Sequence, residues 1–261
     1  MSRRRAKSDP EAGATGPAAE TSPARPEPVE GLRRERSDHT SGRLLRVDLH
    51  NHTYYSPDSI LSPERLAQEA RRRGIDCVAV TDHNTIRGAA AVQELGVVRV
   101  IVGEEVRSRD GEILGLFLVE QVPRDLPALE TIELIKAQGA LVGVPHPLDH
   151  LRSALRYEVM VELIQQIDFI EALNARIVFP SHNRRALELA RKHGLAASAG
   201  SDAHSPWEVG RAYVEMRDFD GPGDFLGALR GGRLVGTLSS PLVHMISRYA
   251  VIRRWLGWRP P

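Results

Sequence analysis

Five short segments of this chain place imidazoles beside carboxylates. They are Asp48-Leu49-His50-Asn51-His52, Thr81-Asp82-His83-Asn84, Gly103-Glu104-Glu105, Pro145-His146-Pro147 and Gly200-Ser201-Asp202-Ala203-His204. His50 and His52 are two residues apart, so on a strand both side chains point the same way. Two imidazoles on one face can chelate one ion. Asp202 and His204 repeat that spacing. Alternation lets only one of Glu104 and Glu105 face the same side. Each segment alone reads equally well as a cap or a hydrogen-bonded core group. Five together are harder to explain that way, because polar groups at the mouth of an apolar strand need partners or a ligand. A mixed His/Asp/Glu donor set without thiolates suits Mn²⁺, Zn²⁺ or Fe²⁺.

These segments sit where short apolar runs stop. Strands are predicted over 44–50, 76–81, 97–103, 113–119, 140–144, 168–173, 196–200 and 212–216. Helices are predicted over 62–73, 86–95, 126–138, 154–166, 183–193 and 224–230. Ser62-Pro63-Glu64 supplies an N-cap followed by Pro at the first helical position. Gly74, Gly139 and Gly194 mark helix ends. Alternating strand and helix implies parallel strands, in a barrel or a doubly wound sheet. The polar clusters then lie at the C-terminal strand ends, where α/β barrels build their sites. Residues 105–113 are too few for a helix and contain Asp110-Gly111, which predicts a hairpin turn.

The chain has 261 residues, 35 Lys+Arg against 34 Asp+Glu, ten His, one Cys and 5% aromatics. The length fits one barrel-sized domain. One Cys excludes an internal disulfide or a multi-cysteine zinc site; Cys77 reads as a buried, inert thiol. The near-neutral total gives no global reason to expect nucleic-acid binding. No apolar run approaches the roughly 20 residues of a membrane span. The first 46 residues hold ten basic and seven acidic groups, a net of +3, which leaves −2 for the rest. Their composition cannot offset chain entropy, so 1–42 reads as a disordered tail. No apolar h-region follows the N-terminal arginines, which argues against a secretory signal and for a cytoplasmic protein. Residues 241–261 interleave Leu242, Val243, Ile246, Tyr249 and Trp255 with Arg248, Arg253 and Arg254. This predicts a basic amphipathic helix that packs on the barrel or on a second subunit, giving self-association. A helix at a membrane surface is the alternative.

In their order along the chain the five segments resemble the polymerase and histidinol phosphatase (PHP) family, over residues 46–216. The resemblance implies an α/β fold, a distorted (β/α)7 barrel of the PHP type over 43–240. It also implies two or three divalent ions (Mn, Zn or Fe) and hydrolysis of phosphate esters. His50, His52, Glu105 and Asp202 would hold one ion, and Asp58, His83 and His204 another. A third would be shared by Glu105 and His146. The family's further His falls here on Glu112, which can replace imidazole as a ligand or be a plain exposed turn residue. Asp82 or Asp202 would accept the proton of a metal-activated water. Arg152 and Arg176 suit a phosphate, since guanidinium matches its geometry, although each also reads as a surface Arg. Asn174 would orient its neighbours.

The substrate expected is a small phosphorylated metabolite, a nucleotide or a short oligonucleotide. A stable nucleic-acid complex is not expected, because stacking platforms and basic tracks are missing. No nucleophile elbow is visible, so covalent catalysis is not expected. An amidohydrolase-like deacylase and a non-catalytic metal-binding or ligand-binding module are the alternatives. His150 and His244 carry no motif and read as surface groups.

Overall fold

The computed structural model describes residues 42–259. The expected disordered tail, 1–42, lies outside these residues except for Gly42. Strands are short because the apolar runs are short: β1 (Leu45–Asp48), β2 (Cys77–Val80), β3 (Arg99–Ser108), β4 (Gly111–Leu116), β5 (Leu141–Val144), β6 (Phe169–Asn174), β7 (Ala196–Gly200), β8 (Ala212–Met216) and β9 (Arg233–Gly236). They form one sheet in the order β7-β6-β5-β4-β3-β2-β1-β8-β9. β1, β2 and β3 pair in parallel, as do β5, β6 and β7, and β4 runs antiparallel to both its neighbours.

The sheet nearly closes on itself beyond the ends of β1 and β7. Asn51 and Ala203 form a parallel bridge there. The Leu49 N–H donates to Ala199 O at 3.2 Å, and the Asp202 N–H to His50 O at 2.7 Å. At the other end β8 pairs antiparallel with β1 and carries β9 outside it. The architecture is therefore the distorted α/β barrel expected from the sequence. β4 and the wedge of β8 are its distortions.

Among the described residues seven α-helices follow the same logic: α1 (Pro63–Arg72), α2 (Arg87–Glu94), α3 (Ala128–Ala137), α4 (Tyr157–Glu162), α5 (Pro180–His193), α6 (Gly221–Arg230) and α7 (Val243–Trp255). Ser62 Oγ caps α1 by accepting from the Arg65 N–H at 3.2 Å. α5 stops at Gly194, whose φ of 66° is the left-handed cap that glycine favours. Leu66 and Ala70 of α1 pack on Val78 and Val80 of β2. Ile132 and Ile135 of α3 pack with Val142 and Val144 of β5. Inside the barrel, Leu116, Phe169, Val214, Phe219 and Phe225 belong to one apolar cluster. That leaves the polar residues to the strands' C-terminal ends.

The structure departs from the sequence expectations in five elements. β3 continues to Ser108, so Glu104 and Glu105 lie within a strand, and the expected hairpin forms as a tight turn at Arg109-Asp110. Pairing explains this: Val106 faces Ile113 and Ser108 faces Gly111 across the ladder. The helix expected over 154–166 breaks into α4 and a 3₁₀ turn, Ile164–Gln166. α5 begins at Pro180, a residue suited to a first turn. β9 has no buried residue, so no apolar run marks it. On α7 only Ala250 is buried, while Met245, Tyr249, Ile252 and Trp255 are exposed. Its outer face is thus apolar rather than polar. No helix among the described residues is long and apolar enough to cross a membrane.

Two outcomes test this packing. A Cβ on Gly200 would lie 2.3 Å from His50 Cβ and 2.8 Å from Glu171 Oε1. Gly200→Ala is expected to cost roughly 1–3 kcal/mol, as overpacking does. The cost would be read from the urea midpoint, and an unchanged midpoint would contradict the tight crossing of β7 and β1. Cys77 is fully buried, and burial pushes its thiol up to about 12. A maleimide is therefore expected to label it only after unfolding; rapid labelling of the folded protein would contradict the burial.

Candidate metal centre

Glu105 is the hub of the polar end. Its Oε1 lies 3.0 Å from His146 Nε2. Its Oε2 lies 3.2 Å from His52 Nε2, 3.2 Å from His83 Nδ1 and 3.4 Å from His50 Nε2. Asp202 Oδ1 is 3.4 Å from His52 Nε2 and 3.8 Å from His50 Nε2. Asp58 Oδ2 is 3.1 Å from His204 Nε2 and 3.7 Å from His83 Nε2. Glu112 reaches His83 Nδ1 and His146 Nε2, each at 3.8 Å. Within this cluster the potential donor atoms of three trios lie within 4.8 Å of one another: His52, His83 and His204; His50, His52 and Asp202; His83, Glu105 and Glu112.

The far edges of the rings are tied down. His50 Nδ1 lies 3.0 Å from the Glu171 carboxylate, which can only accept, so Nδ1 carries the proton. His52 Nδ1 lies 3.0 Å from Ser56 Oγ. Ser56 gives its own hydroxyl proton to Asp82 Oδ1 at 2.6 Å, so it accepts from His52. Both rings therefore turn an Nε2 lone pair inward, as metal-binding imidazoles do. The two Nε2 atoms face each other at 3.0 Å. Two acceptors at that distance need a proton or a cation between them. This contact and the nitrogen-plus-carboxylate donor set fit divalent metal ions.

Glu171 also accepts from the His146 backbone N–H at 2.7 Å and from Asn174 Nδ2 at 2.9 Å. Asn174 Nδ2 reaches Asp202 Oδ2 at 3.0 Å, so it orients two neighbours, as the sequence suggested. A bulge in the β6–β7 ladder between Glu171 and Leu173 accompanies this aim. His146 and Asp202 have φ of 28° and 52°. Such left-handed backbone is uncommon outside glycine and concentrates at functional sites.

Crowding shows in the titration of the groups. Burial alone would raise Glu105, but the His50 and His83 imidazoles hold it well below the usual carboxylate range. Burial would lower His83, yet Glu105, Asp58 and Glu112 push it up to about 10. Glu112 is pushed up to about 7 by burial and then by the Glu105 charge. His204 is held down to about 3 by burial and then by the Arg176 guanidinium. Burial works against an ionised Asp202, but Arg152 and His50 hold it well below its ordinary value. Protons are thus shared among ligand-type groups, and metal binding would displace them.

Every residue expected at the metals is brought into this cluster, and the expectation of Glu112 as an exposed turn residue fails. It lies in β4 and lines the cavity above the cluster. That cavity holds about 240 Å³. Glu104 turns the other way and accepts from the Val122 N–H at 2.9 Å.

Two expected roles do not fit. Asp82 accepts from Thr53 N at 2.7 Å, Thr53 Oγ1 at 2.6 Å, and both Ser56 N and Oγ. Both its oxygens are engaged, so it fixes the 53–56 loop and the His52 tautomer rather than taking a substrate proton. Arg176 is buried and spent: it contacts His204 Nδ1 at 2.6 Å, pairs with Glu208 at 3.0 Å, and donates to Ser247 Oγ at 3.0 Å. Its protein partners commit it to positioning His204 and α7, although it also lines the cavity. Arg152 pairs with Asp202 and with Asp149, and its Nη2 has no partner.

His244, read as a surface group, lines the cavity together with Ser247. Burial, then the Arg176 and Arg152 charges, lower its pKa. No sequence motif announces either residue.

The chain matches the PHP domain over residues 48–205 and the PHP-associated region over 180–234. An uncharacterized protein of Methanocaldococcus jannaschii is 34% identical over 197 residues, covering 71% of this chain and 79% of that protein. The phosphoribosyl 1,2-cyclic phosphate 1,2-diphosphodiesterase of Eggerthella lenta is 32% identical over 159 residues, covering 58% of this chain and 53% of that one. Among solved structures, PsfC from Pseudomonas syringae superposes with a TM-score of 0.59 at 18% identity, covering 80% of this chain and 98% of PsfC. The lesion-specific endonuclease PfuEndoQ from Pyrococcus furiosus gives 0.56 at 18% identity, covering 76% and 60%. These two likenesses are of fold. The domain match spans all five imidazole- and carboxylate-bearing segments, and with it this chain belongs to the PHP family of metal-dependent phosphoesterases.

Proposed function

We propose that the protein hydrolyses a phosphate ester of a small metabolite or nucleotide. Two or three divalent ions (Mn²⁺, Zn²⁺ or Fe²⁺) would be held by His50, His52, Asp58, His83, Glu105, Glu112, His146, Asp202 and His204. The observation that carries this reading is the pair of tied imidazoles, His50 and His52, whose Nε2 atoms face each other at 3.0 Å. Bound divalent ions supply a nucleophilic water near neutral pH and neutralise phosphoryl oxygens.

The chain's own residues do the rest. Glu171 and the Asp82–Ser56 pair hold the ring orientations. Asp202, kept ionised by Arg152, offers an acceptor to the attacking water. Arg152 Nη2, without a protein partner, would take a phosphate oxygen. The Eggerthella relative is named for a phosphoribosyl cyclic phosphate, in keeping with a small substrate. We place the activity in the cytoplasm and expect no stable nucleic-acid complex.

His50→Ala and Asp202→Ala are expected to lose bound metal by elemental analysis and to lose phosphate release. Wild-type turnover in either would sink the proposal. Glu171→Gln should keep the fold but weaken metal affinity roughly 10–100-fold, the usual effect of losing a ligand's outer partner. A metal titration with unchanged affinity would show that Glu171 does not orient His50. Glu112→Gln should lower the ion count by one while leaving the other two sites filled. An unchanged count would remove Glu112 from the ligands.

A further inference from the structure

The two family matches end at residues 205 and 234, so α7 belongs to neither. The helix is pinned by its inner side. Ala250 is buried there, Arg176 Nη2 donates to Ser247 Oγ at 3.0 Å, and Arg254 donates to Ser56 O at 3.1 Å. These anchors keep the helix from rolling its other face inward. That outer face, with the residue flanking each end, carries Leu242, Met245, Tyr249, Ile252, Trp255 and Leu256, each more than half exposed. Positions 242, 245, 249, 252 and 256 follow one stripe of a helix, and Trp255 lies one turn beyond Ile252. A single exposed Leu needs no explanation, but a contiguous stripe of large apolar groups marks an interaction surface.

The charges beside the stripe say what covers it. No Asp or Glu follows Asp224, whereas the chain beyond it holds Arg230, Arg233, Arg248, Arg253, Arg254 and Arg259. Arg248 and Arg259 are exposed, and Arg253 lies over the Trp258 ring, 3.6 Å from its centroid. A second copy of the chain fits this face poorly. A two-fold contact sets a patch against itself, so Arg248 and Arg253 would meet their own images with no acid in residues 225–261 to answer them. An anionic lipid surface answers both features, with acyl chains for the stripe and phosphate charge for the arginines. Tyr and Trp rings settle at the same headgroup depth. The 13 residues of α7 are too few for a bilayer core of about 30 Å, so the helix lies along the surface and not across it.

We propose that α7 is a membrane-surface anchor whose outer face docks on an anionic lipid bilayer. Ile252 and Trp255 enter the acyl boundary, while Arg248 and Arg253 meet lipid phosphates. Docking needs no refolding, because the barrel already holds the helix in place. It does not depend on the phosphoesterase reading.

The test is co-sedimentation of the full chain with lipid vesicles. The protein is loaded with Mn²⁺ and freed of excess ion by gel filtration, since free divalent ions screen lipid charge. Vesicles of equal parts phosphatidylcholine and phosphatidylglycerol are expected to bind it roughly 10-fold or more tighter than pure phosphatidylcholine, with binding that weakens as salt rises. Ile252→Ser with Trp255→Ser should weaken partitioning about 100-fold or more, the scale of two large apolar side chains left in water. Arg248→Gln with Arg253→Gln should weaken it roughly 10–30-fold, about fivefold per Arg near an anionic surface. The serine variant should melt as the wild type does, because both side chains are exposed. Without lipid, sedimentation equilibrium should give a monomer. Equal binding to both vesicle types, binding to neither, or binding that survives Ile252→Ser with Trp255→Ser overturns the inference. So does a dimer that these two substitutions dissolve, which would assign the face to a second copy.

Discussion

The structure is organised around one unfavourable fact: five imidazoles and four carboxylates are crowded into one end of a barrel, most of them out of water. Burial penalises each charge, and removing one member leaves the others uncompensated. Arg152 and Arg176 relieve part of this, through Asp202 and Glu208. The Nε2 atoms of His50 and His52 face each other at 3.0 Å, ringed by the Glu105 and Asp202 carboxylates. Divalent cations resolve both problems together, which is why the site reads as a metal centre rather than as an ion-pair network.

Much of the remaining architecture serves that crowding. Gly200 lets β7 pass close enough to β1 for His50 and Asp202 to share a site. The bulge beside Glu171 and the left-handed backbone at His146 and Asp202 aim side chains that regular strands would misdirect. Asp82 and Ser56 fix one tautomer through a relay of hydrogen bonds. The apolar cluster around Phe169 and Phe225 fills the barrel interior, so the polar end is built on a rigid support.

The sequence exposed the parts of this that are local. H-x-H after β1 is visible because strand alternation converts spacing into direction, whereas Asp-x-His after β7 shares the spacing but takes its aim from the left-handed backbone at Asp202. Alternation allowed only one of Glu104 and Glu105 to face the site, the family resemblance chose Glu105, and the structure turns Glu104 away to meet Val122. Roles that depend on distant partners were not legible. Asp82 looks like an available base until Thr53 and Ser56 are seen to occupy it. Arg176 looks like a phosphate anchor until Glu208, His204 and Ser247 are seen to consume its donors. His244 and Ser247 have no motif at all, because their place is set by where α7 is pinned.

The central claim is that cations balance a cluster the protein alone cannot balance. Thermal melting of the chelator-stripped protein, with and without added Mn²⁺ or Zn²⁺, tests it most directly. An ion present at 100 times its Kd stabilises by about 2.7 kcal/mol. For a domain of this size that is a rise in Tm of roughly 5–10 °C per ion. The account predicts such a rise, abolished in His50→Ala. A Tm that does not respond to any of these ions would contradict it.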